Sequence, residues 1–310
     1  MLLVPHFSPR RYFFAITVPP GFRTSEPGRA ALRRYHWWVA GAIVISALAA
    51  LSLAQDSGDQ AVLLPAFLPL VTGLAAFLRE RSHVRKHAAP SAGVREADLS
   101  GEHDHLPHWI VLALPPFAAP VAAAAYLRAH WSEIPARFPV HWNAHNQPNR
   151  WALKTPHAVY GPLLFGAGMT LIILLLALAM FYGSRRAPQR ATVLKILVVC
   201  LYFLAFVFTS VGLMPVVKIS PAWFLIPGLL FVAVVLAWSY KVVTDPNLPS
   251  EATPDEFWYL GSFYYNPQDP AIFVQKRIGF GYTCNFGNLL SWLILSGFAA
   301  GTVALIFALT

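Results

Sequence analysis

Charged residues are scarce in this chain of 310 residues. Asp, Glu, Lys and Arg make up 12% of it, whereas hydrophobic residues make up 56% and the mean hydropathy is +0.52. A soluble globular domain carries roughly 25% charged residues. The shortage of charge therefore argues against an ordinary soluble domain and favours a protein that embeds its apolar surface in a lipid bilayer.

Cysteine and the common catalytic motifs are scarce too. The two cysteines, Cys200 and Cys284, give no disulfide framework and no metal-ligand spacing. The sequence contains no nucleophile elbow, no phosphate-binding loop and no zinc-peptidase motif. We therefore expect no cofactor and assign no catalytic residue, and we leave the question of an enzyme open while favouring a non-enzymatic function.

Long apolar runs are what the chain does have. Seven blocks contain no Asp, Glu, Lys or Arg: 36–55, 60–78, 108–127, 156–182, 196–217, 219–240 and 289–309. Each is near the length of about 20 residues that lets a helix cross a bilayer. Prolines interrupt the second and third blocks, so we expect a kinked or partly unwound third helix. The sequence predicts an all-α, polytopic membrane protein with about seven transmembrane helices.

The distribution of basic residues predicts the orientation. If the N-terminus is cytoplasmic, 18 of the 23 Lys and Arg residues fall in cytoplasmic segments. Such an excess is the usual signature of the inner side of a membrane. The C-terminus then lies outside. The net charge of +9 is explained by these short basic loops, so we expect no nucleic-acid partner.

The blocks and loops together predict a domain organisation. We expect a basic cytoplasmic N-terminal segment, a two-helix unit, a cytoplasmic linker, a helix–loop–helix, a helical hairpin, a second cytoplasmic segment and a last helix. These cover 1–35, 36–79, 80–107, 108–182 (with an outside loop at 128–155), 192–243, 244–288 and 289–310, respectively.

The outside loop is dense in groups that recognise polar ligands. Its candidate ligand-binding residues are His141, Trp142, Asn143, Gln147, Arg150, Trp151 and Lys154. We expect residues 134–142 to be extended and residues 146–149 to form a turn. Such a turn would bring His141 and Asn143 near Arg150 and Lys154, in a cationic pocket walled by indoles. The alternative is a polar loop whose tryptophans anchor it at the membrane interface.

A metal site in this loop is the weaker hypothesis. His141 and His145 could converge, but Glu133 is the one carboxylate that the loop offers. The intervening residues give no helical spacing that would present both imidazoles to one ion. We therefore assign no metal ligands.

The same loop resembles a known family. Phe138–Asn143 reads FPVHWN, Gln147–Trp151 reads QPNRW, and Lys154 follows. This sequence pattern, over about 108–178, is similar to the domain of unknown function DUF1648. Asn146 stands where the family usually has glycine. The resemblance implies a bacterial membrane protein. DUF1648 also occurs in SdpI-like immunity proteins, which protect bacteria from a secreted antimicrobial peptide.

The second cytoplasmic segment begins with a helix-start signal. Thr253-Pro254-Asp255-Glu256 has the form of a capping box with proline at its first helical position, which predicts a short helix over 255–260. Residues 271–274 are β-prone. We expect the aromatic side chains between 257 and 265 to lie on the membrane surface or against the end of the helix bundle.

Candidate functional residues in this segment are polar, charged or aromatic: Trp258, Tyr264, Tyr265, Asn266, Asp269, Lys276, Arg277 and Asn285. A charge site that joins Asp269 to Lys276 or Arg277 is one hypothesis, and contact of the two cations with lipid headgroups is the other. The run from 257 to 288 resembles the family DUF5808, for which no catalytic residue is implied.

These patterns favour a protein of the bacterial cytoplasmic membrane that binds or senses a ligand. An immunity or resistance factor against amphipathic peptides is the leading hypothesis, with the ligand held by the outside loop. The alternatives are a transporter of small solutes or lipids and a membrane enzyme acting on lipid or cell-wall substrates. The expected partners are the lipid bilayer, an amphipathic peptide or small ligand outside, and a cytoplasmic protein.

Overall fold

Within the residues that the structure describes, the fold has seven α-helices and four small β-hairpins. The computed structural model describes residues 2–56, 65–90, 105–143, 146–184, 189–217, 220–245 and 253–309. The helices are α1 (Glu26–Asp56), α2 (Leu68–Arg85), α3 (Pro115–Ala129), α4 (Pro156–Gly183), α5 (Arg190–Leu213), α6 (Leu225–Thr244) and α7 (Leu289–Leu309). The strands are β1 (Tyr12–Phe13), β2 (Ile16–Thr17), β3 (Arg137–Trp142), β4 (Pro148–Leu153), β5 (Trp258–Tyr259), β6 (Phe263–Tyr264), β7 (Phe273–Gln275) and β8 (Tyr282–Cys284).

Six helical segments in the described ranges are long and apolar enough to cross a membrane. They are Glu26–Leu53, His108–Ala129, Pro156–Gly183, Arg190–Leu213, Ala222–Thr244 and Leu289–Phe307. Their outward side chains are mostly apolar and exposed, as contact with lipid requires. The prediction of a helical, multi-pass membrane protein is confirmed.

The second predicted span differs from the others. Its helix, α2, begins at Leu68 and continues to Arg85, so its last two turns carry Arg79, Glu80 and Arg81. With these charges α2 is not among the six candidate spans. Residues 57–64, at the start of the predicted block, and residues 91–104, in the predicted linker, lie outside the described residues.

The third predicted span is broken, as its prolines indicate. Residues His108–Ala113 form a 3-10 segment, and the α-helix begins at Pro115. Pro115 and Pro116 have no backbone N–H to donate, which suits the first turn of a helix and prevents the preceding turns from continuing through it. Pro120 lies inside α3.

The chain divides into two compact units. The first unit is Met1–Ser100 with Ser239–Asn288, and the second unit is Gly101–Trp238 with Leu289–Thr310. In the second unit, α4 and α5 pack closely because glycines face bulky side chains. A Cβ atom on Gly166 would lie 2.2 Å from Cβ of Phe208, and one on Gly212 would lie 2.4 Å from Cδ2 of Leu163. Small residues at such contacts let helix backbones approach within a membrane.

A β-hairpin near the N-terminus is central to the first unit. Strands β1 and β2 pair with Tyr12 opposite Thr17 and Phe13 opposite Ile16. The two turn residues, Phe14 and Ala15, both have positive φ, at 47° and 59°. Such angles are uncommon outside glycine and are tolerated where the surroundings fix them. Both residues are buried in a core that includes Tyr35 and Phe77.

The prediction of a short helix over 255–260 is wrong. The structure has one 3-10 turn at Asp255–Phe257, without a side-chain cap, and then the hairpin of β5 and β6. Aromatic residues favour strands, and Leu260 and Gly261 form the turn with φ of 51° and 79°. The β-prone run at 271–274 overlaps β7 at Phe273 and Val274, and β7 pairs with β8.

Candidate functional site

The β3–β4 hairpin of the second unit is anchored by one buried face. Ile134 and Phe138 are 3% and 4% exposed and pack with Leu127 of α3 and Val159 of α4. Burial of a phenylalanine side chain contributes about 1.5–3 kcal/mol. The loop that joins α3 to α4 therefore forms a fixed platform on the ends of these helices.

The turn of the hairpin explains a departure from the family pattern. Asn146 has a φ of 58°, in the left-handed region where the family usually has glycine. Asparagine tolerates this region better than other non-glycine residues. Around it, the Asn143 N–H donates to the Gln147 carbonyl, and the Gln147 N–H donates to Oδ1 of Asn143, each at 2.9 Å. Asn143 and Gln147 thus shape the turn.

Beside the turn, polar side chains lie on the exposed surface. His141 is opposite Arg150 in the strand register, with an irregularity at Val140. The ring Nδ1 of His141 is hydrogen-bonded to Oδ1 of Asn149. Trp151 is 45% exposed and Val140 is 44% exposed, so apolar surface lies among the polar groups. A charged guanidinium, an imidazole and an indole are thereby presented on one small sheet.

Two predicted members of this site lie elsewhere on the hairpin. Lys154 follows Leu153, which pairs with Arg137 at the end of the hairpin away from the turn. Its Nζ lies 5.2 Å from the ring centroid of Trp131, which stacks on Tyr160. Trp142 is half-buried opposite Pro148, next to the turn. The structure therefore brings His141 and Arg150 together but separates Lys154 from them. His145 lies outside the described residues.

In the first unit, the predicted polar residues form a buried network centred on Asn285. Its side-chain Nδ2 donates to the carbonyls of Asn266, Asp269 and Ala271 at 2.9–3.2 Å, and its Oδ1 accepts from the Asn266 N–H. Tyr264 donates its hydroxyl to Oδ2 of Asp269 at 3.0 Å. Asn285 is fully buried. Asn285 and Asp269 therefore have the contacts of residues that hold β6 and the turns after it in place.

Arg277 pairs with Asp255 rather than with Asp269. Its guanidinium, 1% exposed, also donates to the carbonyls of Thr253 and Ala15 and lies against the rings of Tyr12 and Trp258. Its neighbour Lys276 is exposed, as is Tyr265, whereas Trp258 is buried and donates to Oγ1 of Thr253. Asp269 accepts from the Tyr264 hydroxyl and the Ala271 N–H, and the hypothesis that joins Asp269 to Lys276 or Arg277 stays a prediction.

Arg81 is a central residue that the sequence did not single out. It donates to the carbonyls of Phe14 and Ala15 and to that of Trp258. Burial and the charge of Arg277 lower the pKa of Arg81 to about 10. Arg81 and Arg277 together bind the carbonyls of the positive-φ turn, so these arginines hold the N-terminal hairpin against the DUF5808-like segment. The sequence does carry a signal for the N-terminal hairpin. The run Tyr12–Val18, YFFAITV, lies between prolines and is rich in residues that favour strands.

Two family models match the chain, in the order that the sequence predicts. The domain of unknown function DUF1648 matches residues 120–166, and the family of unknown function DUF5808 matches residues 267–292. The first match covers α3, the hairpin and the start of α4; the second covers β7, β8 and the start of α7. Neither a curated protein nor a solved structure matches the chain.

Proposed function

We propose that this membrane protein binds an amphipathic ligand, in the first instance a peptide, on the exposed surface of the β3–β4 hairpin. The observation that carries the proposal is the division of the hairpin into a buried anchoring face and an exposed set formed by His141, Arg150 and Trp151. Tryptophan and arginine are the residues that most often dominate binding energy. A rigid platform also lowers the entropic cost of binding.

The charge of the hairpin region favours one class of peptide. Between 128 and 154 the described ionisable side chains, apart from histidine, are Arg128, Glu133, Arg137, Arg150 and Lys154, which carry a net charge of +3. A cationic peptide would be repelled, whereas an acidic or neutral amphipathic peptide would be attracted or tolerated. Protection of the cell against such a peptide is the immunity function that this binding would serve.

The first experiment measures binding to the full-length protein in nanodiscs. The probes are amphipathic peptides of equal length that share one apolar face and carry net negative, zero or net positive charge on the other. We expect the acidic peptide to bind most tightly and Arg150→Ala/Trp151→Ala to weaken its affinity at least about tenfold. Survival of a peptide-sensitive bacterium that expresses the same variants measures protection.

The hairpin supplies its own matched control. Arg137 and Leu153 are opposed on the strands, are both exposed, and lie at the end away from the turn. Arg137→Ala/Leu153→Ala removes one arginine and one large apolar side chain, as the test variant does. An equal loss of affinity in both variants, or the absence of binding by any peptide, would overturn the proposal.

A transporter of small solutes or lipids is the second candidate. The break between the 3-10 segment at His108–Ala113 and α3 favours it, because interrupted helices line the substrate sites of many transporters. A cavity of about 380 Å³ also lies beside α4, α5 and α7, with His157 and Phe208 in its lining. Uptake of a labelled solute or lipid by proteoliposomes, absent from protein-free vesicles, would favour transport over binding alone.

A further inference from the structure

The first unit contains a cavity that neither family resemblance assigns to any ligand. Its volume is about 550 Å³, within the range of small-molecule sites. The lining combines guanidinium groups, hydroxyl groups and apolar side chains: Arg10, Arg11, Tyr12, Thr17, Val18, Pro20, Gly21, Ala89, Pro90 and Thr253. We propose that this cavity binds the phosphate group of an organic phosphate ester, with Arg10 and Arg11 as its principal ligands.

A third arginine, Arg23, holds the backbone on both sides of Arg10 and Arg11 in place. The Nη2 atom of Arg23 donates to the carbonyls of Ser8, Pro9 and Tyr12 and to the Ser8 hydroxyl. These residues flank Arg10 and Arg11, so the loop that presents both guanidinium groups is pinned on each side. Arginine matches the geometry of phosphate oxygens, and a fixed backbone lowers part of the entropic cost of binding.

The wall of the cavity is continuous with a buried cationic cluster. Tyr12, Thr17 and Thr253 line the cavity on one side. Their other contacts are with the buried ion pair: Arg277 lies 4.7 Å from the Tyr12 ring centroid and donates to the Thr253 carbonyl, and Thr17 donates to Asp255. Among the described residues, Asp255 is the carboxylate hydrogen-bonded to this cluster, whereas Arg81 and Arg277 both contribute positive charge.

Two further observations concern the arginines near the cavity. Burial and the charge of Arg10 lower the pKa of Arg23. In the described part of the chain, the buried Nε atoms of Arg23 and Arg277 have no hydrogen-bond partner. A buried cation is costly unless an anion balances it. A phosphate at Arg10 and Arg11 would supply negative charge to this part of the first unit.

The size and lining of the cavity favour an ester over the bare anion. Val18, Pro20, Ala89 and Pro90 supply apolar surface that a bare phosphate would leave uncovered. The organic part of the ester would occupy this surface while its phosphate contacts Arg10 and Arg11, because the Thr17 hydroxyl already donates to Asp255. Two sources carry this chemistry: a soluble nucleotide and the headgroup of an anionic phospholipid.

The experiment uses the full-length protein in phosphatidylcholine nanodiscs and has two arms. In the first arm, adenosine triphosphate is titrated and its binding is measured directly, with inorganic phosphate as the comparison probe. In the second arm, phosphatidylglycerol replaces part of the phosphatidylcholine, and the gain in melting temperature is measured. Binding in the first arm identifies a soluble ester, whereas stabilisation confined to the second identifies a lipid headgroup.

Three variants distinguish binding in the cavity from non-specific binding to positive surface charge. Arg10→Ala/Arg11→Ala should weaken binding at least about tenfold, and Arg10→Lys/Arg11→Lys, which retains the charge but not the planar fork, should weaken it less. Ala89→Trp fills the cavity without changing the charge and should also abolish binding. The matched control is Arg29→Ala/Arg33→Ala, which removes two exposed arginines from α1, outside the cavity lining.

The outcomes decide the proposal. Loss of binding in the cavity variants and its retention in the α1 control support the site and identify the phosphate source. Equal weakening in the α1 control, or a wild-type protein that responds in neither arm, overturns it. If the alanine variant fails to fold, the lysine and tryptophan variants give the same test. None of these outcomes depends on whether the β3–β4 hairpin binds a peptide.

Discussion

The β3–β4 hairpin and the segment 253–288 have similar compositions but use their polar side chains in different ways. Both combine asparagine, arginine and aromatic residues. On the hairpin, His141, Arg150 and Trp151 are exposed, whereas in the other segment Arg277 and Asn285 are buried and bonded to several groups. A polar, aromatic composition therefore does not identify a binding site by itself. The burial of each side chain and the hydrogen bonds that it already makes separate the two cases.

The difference arises from what packs against each segment. One face of the hairpin rests on α3 and α4 of the second unit, and the side chains of its other face are exposed. In the first unit, the β1–β2 hairpin supplies the Ala15 carbonyl and the Tyr12 ring to Arg277, and Arg81 of α2 donates to the Trp258 carbonyl. Buried polar groups persist when they are fully bonded. The first unit thus uses for stability the kinds of residue that the hairpin leaves exposed.

The largest expected effect is the loss of the buried ion pair. Arg277→Met should lower the free energy of unfolding of the first unit by about 3–5 kcal/mol, because Asp255 is left without its cation. Thermal unfolding of the protein in detergent, followed by Trp258 fluorescence, measures the change. The matched control is the exposed neighbour, Lys276→Met, which should change stability by less than about 0.5 kcal/mol. Equal effects of the two substitutions would contradict the structural role of Arg277.

The Asn285 network should show the next largest effect. Asn285→Ala leaves several buried carbonyl and N–H groups unpaired, and we expect a loss of about 3 kcal/mol. Faster amide hydrogen exchange at β6 and at residues 266–271 would locate the damage. The control is Gln268→Ala, because Gln268 is exposed and contributes its backbone N–H to the network. A melting temperature unchanged by Asn285→Ala would mean that the network contributes no net stability.

A smaller effect is expected from acidification. Burial, with the charges of His36 and Arg23, lowers the pKa of His6 below its ordinary value of 6.5. The unfolded chain then takes up a proton at a higher pH than the folded chain, so stability decreases as the pH falls below about 6.5. Melting temperatures of the wild type and of His6→Gln, measured between about pH 7.5 and pH 5, test this. A decline of the same size in His6→Gln would assign the effect to other groups.

The smallest expected effect on stability is at the exposed hairpin surface. Arg150→Ala/Trp151→Ala should change the free energy of unfolding by less than about 0.5 kcal/mol, because both side chains are exposed. Circular dichroism melts in detergent provide the measurement. A loss as large as that of Arg277→Met would remove the contrast between the two regions and would make Arg150 and Trp151 structural residues.

Much of the fold could be predicted because bilayer chemistry acts on local composition. The apolar runs indicate helices directly, and the prolines at 115, 116 and 120 indicate the broken third span. A turn in the outside loop was predicted at residues 146–149, whereas β4 already begins at Pro148 and the positive φ of Asn146 was not predicted. The structural role of the charged residues at the end of α2 was harder to predict from the sequence. Glu80 is buried and bonded to Arg34, at 3.0 Å and 2.6 Å, and two such distant residues cannot be paired by inspection of the sequence.

The sequence alone determined the membrane class, the helical architecture and the order of the two domains. It did so through its composition, the length of its apolar runs and the residue patterns of two motifs. These properties depend on residues that are close in the chain. Tertiary structure alone decided that Arg81 and Arg277 bind the Phe14–Ala15 turn, that Asp255 pairs with Arg277, and that Arg10 and Arg11 line a cavity with Thr253. Each of these contacts joins residues far apart in sequence, because the free energy of a buried charge depends on its surroundings in space.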